Sequence, residues 1–394
     1  MPPASVICLL ALLASPCLAQ VPDIEPAPQQ EQEQEAEPLP PVEEPTAPNL
    51  QPQQQHPLPA PRIGPPIPEQ EQAAVRREPA VPVPTPPVPQ RRLQPAAASI
   101  PRIAALDAER ATIARTQTLL ARAGFSPGLI DGVPGRKTRL AAEHFQRSRG
   151  LPVTGVVDEA TLSELAKNDA AAAQPGWCRL VTVTQADVDL ITGQIPEDWN
   201  QRAALVVSGY ADMRELLAER GWCSARLVDE LNPGVDVNAL SVGAAIVLPA
   251  VGDAPFPKLA RLEILLGEKL VLGFDAHDRL AMLTHCSIAL KPEDRPVGEL
   301  RVATVIPNPD YTFDPKDWPE VTNVTRRLRI APGPRCPVGV AWIGLDRPRY
   351  GVHGSPRPQD IGKTGSHGCF RLTNWDAARI AGAIEAGAAV SVRE

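Results

Sequence analysis

Apolar residues recur at helical spacing in the middle of the chain and at strand-like spacing near its C-terminal end. In the first region, an apolar stripe predicts a helix over Glu109–Ala123 that ends at Gly124. A second helix is expected over Arg136–Arg149, and Asp158 can cap a third. The pattern therefore predicts an all-α unit of three helices over residues 106–168.

A smaller mixed region follows this helical unit. Residues 169–203 are expected to form a linker that contains a connecting strand. Two short amphipathic helices, Asp212–Arg220 and Ser224–Leu231, then precede a strand over Ala245–Leu248. We therefore expect a small α+β module over residues 204–250.

The last part of the chain, residues 258–394, has the pattern of a mainly β domain. Short apolar runs are separated by Gly and Pro, with little helix between them. The predicted strands are Arg261–Leu266, Lys269–Phe274, Leu280–Ile288, Leu300–Val305, Val338–Ile343 and Ala389–Val392. A helix over Asn374–Ala386 is expected just before the last of these strands.

Composition separates the segment 20–105 from everything that follows it. Residues 20–100 contain 22 prolines, many Gln and Glu, and no Phe, Trp or Tyr. Such a segment cannot bury enough apolar surface to offset the entropy lost on ordering, so we expect a disordered tether or a solvated leader. It also holds most of the chain's net charge of -7, and the nearly neutral remainder has no basic stripe for nucleic acid.

Residues 1–19 have the features of a signal peptide. A short apolar core, Val6–Ala14, is followed by Cys17-Leu18-Ala19, a small-residue cleavage site before Gln20. No Lys or Arg precedes the core, which is unusual for such a leader. Pro16 stands where a lipoprotein anchor needs a small residue, and no apolar run is long enough to span a bilayer. We therefore expect export and cleavage.

Near the C-terminus, one histidine and one cysteine stand a fixed distance apart beside a glycine-rich turn. The chain has His353-Gly354 and, after a spacer, Ser366-His367-Gly368-Cys369-Phe370-Arg371. A thiol attacks as the thiolate, and a free cysteine with a pKa of about 8.5 needs a base to react near neutral pH. His353 can be that base. Glycine lets a substrate approach closely, so the amides of Gly368 and Cys369 can point at an oxyanion.

A single cysteine is more often a small buried residue or half of a disulfide, so the flanking residues decide the interpretation. With Tyr350-Gly351-Val352 before it and Leu372-Thr373-Asn374-Trp375 after it, the string resembles the active-site signature of the L,D-transpeptidase catalytic domain. The resemblance covers residues 258–394 and implies a mainly β, barrel-like or sandwich-like fold with a short helix packed on it. It also implies that Cys369 is the nucleophile and His353 the base.

The same resemblance assigns supporting roles around these two residues. The carbonyl of Gly354 would accept a hydrogen bond from the second nitrogen of His353 and so fix the tautomer of the ring. The amides of Gly368 and Cys369 would form the oxyanion hole, and His367 is either an extra donor or an alternative base.

Four other residues of this region have more than one interpretation. Arg371 suits a substrate carboxylate, because its planar guanidinium binds two oxygens at once, although a surface ion pair would also explain it. Trp342 and Tyr350 either line the cleft or pack in the core. Ser366 is expected to hydrogen-bond within its own turn. No Cys and His spacing indicates a metal site, and no cofactor is expected.

Two further resemblances concern the cell wall. The series Ala123-Gly124-Phe125, Ile130-Asp131-Gly132 and Gly135-Arg136-Lys137-Thr138 resembles the three-helix peptidoglycan-binding domain. The α+β module, with its Asn232-Pro233-Gly234 turn, resembles a degenerate LysM module, a kind that binds N-acetylglucosamine chains. A simple linker subdomain would show the same short elements. Both resemblances imply peptidoglycan as the partner, through its stem peptides and glycan strands.

Together the resemblances imply a periplasmic, wall-associated L,D-transpeptidase. The Cys369 thiolate would attack the third residue of a tetrapeptide stem, release D-Ala and form a thioester, which an amine of a neighbouring stem then resolves into a crosslink. An L,D-carboxypeptidase or endopeptidase that passes the acyl group to water shares the first step. A wall-binding scaffold with a dispensable thiol is the third hypothesis. Acylation of Cys369 by a carbapenem also follows from the resemblance.

Five cysteines follow the expected leader, and an odd number leaves at least one unpaired. The signature nominates Cys369 as the free thiol. The other four allow three pairings, of which we expect Cys178–Cys223 and Cys286–Cys336, unless some are simply buried thiols.

Overall fold

The computed structural model describes residues 106–167, 176–252, 257–318, 321–366 and 368–394. The expected signal peptide (1–19) and tether (20–105) lie outside the described residues, as does the first part of the expected linker, up to residue 175. In the described ranges, every helix is too short or too polar to reach from one face of a bilayer to the other.

Three helices form the first folded unit, as the apolar stripes predict. They are α1 (Ala108–Arg122), α2 (Arg136–Ser148) and α3 (Glu159–Lys167). The side chain of Asp158 accepts a hydrogen bond from the amide of Thr161 at 2.8 Å, and so caps α3 as expected. In the core of the unit, the rings of Phe125 and Phe145 meet edge to face, with centroids 5.3 Å apart.

The second unit is built on a two-stranded antiparallel sheet, in which β1 (Cys178–Thr182) pairs with β2 (Ala245–Pro249). Four short helices lie between the strands: α4 (Gln185–Asp189), α5 (Trp199–Ala203), α6 (Met213–Arg220) and α7 (Ala225–Leu231). Asp212 and Ser224 cap α6 and α7 with their side chains. The α+β module therefore includes a strand that the sequence assigned to the linker.

The third unit is an eight-stranded mixed sheet with one helix against it. Its strands are β3 (Arg261–Leu265), β4 (Leu270–Phe274), β5 (Leu280–His285), β6 (Gly298–Pro307), β9 (Ala341–Leu345), β10 (Gly351–His353), β11 (Phe370–Arg371) and β12 (Ala389–Arg393). In space the order is β11-β10-β9-β6-β12-β3-β4-β5. A separate antiparallel pair joins β7 (Tyr311–Phe313) to β8 (Leu328–Ile330). Helix α8 (Asn374–Ala383) packs on β6 and β9.

The eight-stranded sheet curls into a half-barrel, and the segment that follows its edge strand β5 bonds to the opposite edge strand β11. Just beyond β5, the backbone of Ser287 exchanges two hydrogen bonds with Arg371 of β11, at 2.9 and 3.0 Å. Twisted sheets close in this way when their edge strands come within bonding distance. The mainly β expectation is confirmed in the form of a curled mixed sheet, a half-barrel, and a two-sheet sandwich is not observed in the described residues. The seam carries Ser366, which bridges to Ala289, and Arg371.

The three units form one compact body. The segment after α1, which belongs to the helical unit, contacts both the curled sheet and the α+β module. Phe125 packs against Leu283 of β5, and the amide of Ser126 donates to the Leu283 carbonyl at 2.8 Å. Further along, the amide of Ile130 donates to the carbonyl of Trp222, which follows α6, at 3.0 Å. The helical unit is thus packed against both neighbours through backbone hydrogen bonds as well as apolar contacts.

A buried carboxylate adds a polar tie between the helical unit and the curled sheet. Asp376, in the first turn of α8, accepts hydrogen bonds through Oδ2 from the hydroxyl groups of Ser126, Thr284 and Thr373, at 2.7 to 2.8 Å. Breaking one partner of a buried network of this kind leaves an unsatisfied polar group, which costs about 1–3 kcal/mol. The contact between the units is therefore a specific one.

All five cysteines of the described residues are free thiols, so neither expected disulfide is present. Cys178 and Cys223 lie in one apolar cluster of the α+β module without being bridged. Cys286 belongs to the core of the curled sheet, whereas Cys336 belongs to a different, aromatic cluster. The expected Cys286–Cys336 bridge is wrong, because each thiol is packed as a small apolar side chain in its own cluster.

Candidate active site

The strands at the seam place His353, Cys369 and Arg371 on one face of the sheet. In the parallel pair of β10 and β11, Val352 lies opposite Phe370 and His353 opposite Arg371. Side chains alternate between the two faces of a strand. Val352 and Phe370 point into the core of the curled sheet, so the other three residues face the opposite way. The sequence-predicted base, nucleophile and arginine are thus neighbours on one surface.

The imidazole of His353 is held in a single orientation. Its Nδ1 donates to the carbonyl of Gly354 at 2.7 Å, and because a carbonyl only accepts, Nε2 of the neutral ring carries the free lone pair. Trp342 stacks on the ring, with centroids 5.6 Å apart. Residue 354 has to be glycine here, since a Cβ would lie 2.4 Å from Oδ1 of Asn374. Burial lowers the pKa of His353 to about 3, so the ring is uncharged at neutral pH.

The thiol of Cys369 is fully buried beside β10. Its Sγ donates to the carbonyl of Arg349 at 3.4 Å. Burial raises the pKa of the Cys369 thiol to about 12. A hydrogen bond from the backbone of Gly351 and the charge of Arg371 act in the opposite direction, but their effects on the pKa are smaller. Among the described residues, no hydrogen bond joins this sulfur to the imidazole of His353. At rest the pair is a protonated thiol and a neutral ring on the same face.

The turn before the cysteine is closed by its own serine. The hydroxyl of Ser366 donates to the carbonyl of Cys369 at 2.5 Å and accepts from the amide of Gly368 at 3.3 Å. Glycine at position 368 lets Tyr350 lie against the turn, because a Cβ would be 3.1 Å from Cε1 of that ring. His367, between these residues, lies outside the described residues.

Arg371 is a buried cation with unused hydrogen-bond donors. Its side chain is 7% exposed, and both Nε and Nη2 are buried without a hydrogen-bond partner. Burial, followed by the charge of Arg357, lowers the pKa of the guanidinium to about 10, so it stays protonated at neutral pH. Buried donors are nearly always satisfied in native proteins, and an exception indicates a site for a missing partner. The alternative of a surface ion pair is wrong.

Cys369 also belongs to a cluster of buried aromatic side chains, which includes Trp342. In this cluster Trp199 of α5 stacks on Phe313 of β7, with ring centroids 4.3 Å apart, and lies 5.6 Å from the ring of Trp318. The sequence assigned Trp199 to the linker, and its only signal there is a bulky aromatic residue in an otherwise polar segment.

Two lysines hold the loop that leads into the cysteine turn. Lys137, from α2 of the helical unit, donates to the carbonyl of Ile361 at 2.6 Å, and Lys269 donates to that of Gly362 at 3.0 Å. The hydroxyl of Ser287 accepts from the amide of Gly362 at 2.9 Å. Burial lowers the pKa of Lys137. The helical unit therefore supports the active-site loop directly.

Replacing Lys137 with methionine should loosen this loop while keeping the aliphatic packing. We expect the free energy of unfolding to fall by about 1–3 kcal/mol, the usual loss of a hydrogen bond to a charged group that leaves a buried acceptor unpaired. We also expect faster maleimide labelling of Cys369. Urea unfolding and timed peptide mass spectrometry measure the two effects.

Lys363→Met is the matched control for that variant, since Lys363 is exposed on the same loop. It should change neither the unfolding free energy nor the labelling rate. Equal behaviour of the two variants would show that the hydrogen bond of Lys137 does not hold the loop.

Together these groups suit nucleophilic attack on a carbonyl of an anionic substrate. The cysteine supplies the nucleophile, the free Nε2 of the imidazole accepts its proton, and the guanidinium awaits an anion. Because Cys369 is fully buried, such a substrate would reach the sulfur only after the residues packed around it move aside.

Comparison with known families agrees with the geometry. Residues 109–165 match the model of a peptidoglycan-binding domain, and residues 262–392 match that of the L,D-transpeptidase catalytic domain, YkuD. A protein of Bacillus licheniformis named as the L,D-transpeptidase YkuD is 26% identical over 163 residues, which are 41% of this chain and 82% of the relative.

Two solved structures are also similar. The L,D-transpeptidase of Xylanimonas cellulosilytica has 15% identity and a TM-score of 0.30, over 78% of this chain and 100% of that one. L,D-transpeptidase 3 of Mycobacterium tuberculosis, in complex with a faropenem-derived adduct, has 18% identity and a TM-score of 0.27, over 39% of this chain and 66% of that one. The chain thus contains a region that matches the L,D-transpeptidase catalytic domain, YkuD, at residues 262–392, and a region that matches a peptidoglycan-binding domain at residues 109–165.

Proposed function

We propose that this L,D-transpeptidase attacks the tetrapeptide stems of peptidoglycan through a Cys369 thioester, releases D-Ala and joins the third residues of two stems. The observation that carries the proposal is the shared face of His353, Cys369 and Arg371 at the seam of the sheet. Acyl transfer on an anionic peptide requires a nucleophile, a base with a fixed tautomer and an unpaired cation.

The first half-reaction begins from a neutral pair. Sγ of Cys369 attacks the carbonyl carbon of the third stem residue, and the thiol proton passes to Nε2 of His353. The bond between that carbon and the nitrogen of D-Ala then breaks, and the same proton moves from the imidazole to the leaving amine. The hydrogen bond from Nδ1 to Gly354 stabilises the transient imidazolium. The acyl group is left on sulfur as a thioester.

In the second half-reaction, the side-chain amine of a neighbouring stem attacks the thioester. His353 takes a proton from the amine and returns it to the sulfur as the C–S bond breaks. The products are a crosslink between two third residues and the original thiol. Water as the acceptor would give a tripeptide instead, and the residues around Cys369 leave both acceptors chemically possible.

The developing oxyanion would be stabilised by the amides of Gly368 and Cys369, with His367 as a further donor. The amide of Gly368 makes a hydrogen bond of 3.3 Å to Ser366, which is long enough to be exchanged for a substrate oxygen. Tyr350, packed against Gly368, would keep this turn in place.

Arg371 would bind a carboxylate of the stem. Two of its donors are buried and unpaired, and a bidentate carboxylate would satisfy both. This contact would select stems that carry a free carboxylate near the bond under attack.

The remaining units would keep the enzyme on the wall. We propose that the helical unit and the LysM-like α+β module both contact peptidoglycan in the periplasm. The tight packing of both units on the catalytic sheet supports a shared task. An adduct of a carbapenem on Cys369 is expected as well.

The test is to incubate the purified mature protein with tetrapeptide-stem muropeptides and identify the products by mass spectrometry. We expect crosslinked dimers together with released D-Ala. Monomeric tripeptides would instead identify an L,D-carboxypeptidase, and cleavage of existing dimers an endopeptidase. Binding to sacculi without any turnover would support the wall-binding scaffold.

A further inference from the structure

A second cleft lies between the α+β module and the curled sheet, and it shares no residue with the site around Cys369. Its volume is about 280 Å³, near the lower end of the range of roughly 300–1,000 Å³ for small-molecule sites. The module contributes Tyr210, Glu219 and Trp222, and the catalytic domain contributes Asn374 and Trp375. The cleft is therefore completed only by the docking of the two units.

Two indole rings form its apolar surface. Trp222 and Trp375 are nearly parallel, with an interplanar angle of 9° and centroids 6.4 Å apart. Trp222 is held in place by a hydrogen bond from Ile130 to its carbonyl and by the guanidinium of Arg379, 4.9 Å from its ring. Its φ of 52° is uncommon for a bulky residue. The partly exposed indole of Trp222 is therefore held in one orientation before any ligand binds.

Polar groups lie beside these rings. The carboxyl of Glu219 accepts from the hydroxyl of Tyr210 and from the amide of Asn374, each at 3.0 Å. Arg220 pairs with Asp187 at 2.7 Å, and both line the cleft. Burial raises the pKa of Glu219 to about 7, so water has little access to this carboxyl. Hydrogen-bond donors and acceptors thus border an aromatic surface.

We propose that this cleft binds one sugar residue of a glycan strand. The C–H face of a pyranose ring is apolar and packs on indole, while the ring hydroxyls both donate and accept and so can add to the hydrogen bonds of the carboxyl, amide and guanidinium groups at the border. A phosphorylated ligand fits less well, because the guanidinium of Arg220 that lines the cleft is already paired with Asp187. The inference rests on the proposed function, since it takes the glycan of peptidoglycan as the source of the sugar.

The cleft is connected to the active site through Asn374. While its amide nitrogen donates to Glu219, its Oδ1 accepts from the amide of Val340 at 3.3 Å and packs against Gly354, next to His353. A sugar in the cleft would therefore contact the catalytic domain itself as well as the module. The bound strand would then supply stems to the same domain that cuts them.

The experiment measures binding of stem-free glycan hexasaccharides from peptidoglycan to the full mature chain by calorimetry. Trp222→Ala should weaken binding at least tenfold or remove one site from the stoichiometry. Ala378→Arg should do the same, because Ala378 is an exposed residue of α8 that lines the cleft, and a long side chain there fills it without disturbing the core. Trp177→Ala, elsewhere on the module, should bind like the parent protein.

Unchanged affinity and stoichiometry in both cleft variants would overturn the inference, as would the absence of glycan binding by the parent protein. Thermal unfolding of Ala378→Arg shows whether a loss of binding comes from misfolding. Release of D-Ala from free tetrapeptide by the parent protein is measured separately. Glycan binding without D-Ala release would reject the proposed function and keep the cleft, and the reverse result would reject the cleft alone.

Discussion

We expect Cys369→Ala to lose the proposed release of D-Ala from tetrapeptide stems, with kcat lower by about 10⁴-fold or more, as for other enzymes without their nucleophile. The reason is that no thioester can form, so the reaction cannot be divided into two easier steps. Binding to sacculi should be retained, because the helical unit is not altered. Mass spectrometry of the released D-Ala and of the muropeptides measures the loss.

Cys286→Ala is a close control for this variant. Both thiols are fully buried in the same domain, and burial raises the pKa of each to about 12. Only Cys369 lies on the face with His353, so the Cys286 variant should keep its turnover. Activity in Cys369→Ala would exclude the thioester, and equal inactivity of both variants would indicate damage to the fold.

Arg371→Lys should lower kcat/KM for stems by about 10²-fold. Lysine keeps the charge but lacks the planar fork that would bind two carboxylate oxygens at once. We expect the same decrease in kcat/KM when the wild-type protein acts on a stem whose carboxylates are amidated. With that substrate, the variant should show little further loss, since the contact is already absent. Steady-state kinetics on both substrates measure the four values.

Arg357→Lys serves as the control for Arg371→Lys, because Arg357 is a partly exposed residue paired with Asp360 at 3.2 Å. Its kinetics should stay close to those of the parent protein. If the wild-type protein used the amidated and the free stems equally well, Arg371 would not be the group that binds the carboxylate.

The regular elements were largely predictable because their signals are local. The apolar stripe and the glycine after it place α1 within one residue of the expected helix, and β3, β4 and β12 also agree closely. The missed elements are short: β7, β8, β10 and β11 have two or three residues each, too few for a periodic pattern. They are strands only because the curled sheet and its neighbours supply their partners.

The residues of the candidate site also fall into those that the sequence predicts and those that it does not. Spacing and residue type were enough to nominate Cys369 and His353, since the chemistry of a thiol and a base is carried by two residues in one motif. The unpaired donors of Arg371, the support from Lys137 and the position of Trp199 depend on contacts between residues far apart in the sequence. The expected Cys286–Cys336 pairing failed for the same reason, because the burial of these two thiols in separate clusters is decided by the tertiary fold.

The complete burial of Cys369 has a consequence for oxidative damage. Peroxide converts thiols to sulfenic and then to higher acids mainly when the sulfur is exposed and ionised. Cys369 in this structure is neither, because it is 0% exposed and burial raises its pKa to about 12. The sulfur therefore becomes vulnerable to oxidants only when the residues packed around it move aside, which is also when a substrate can reach it.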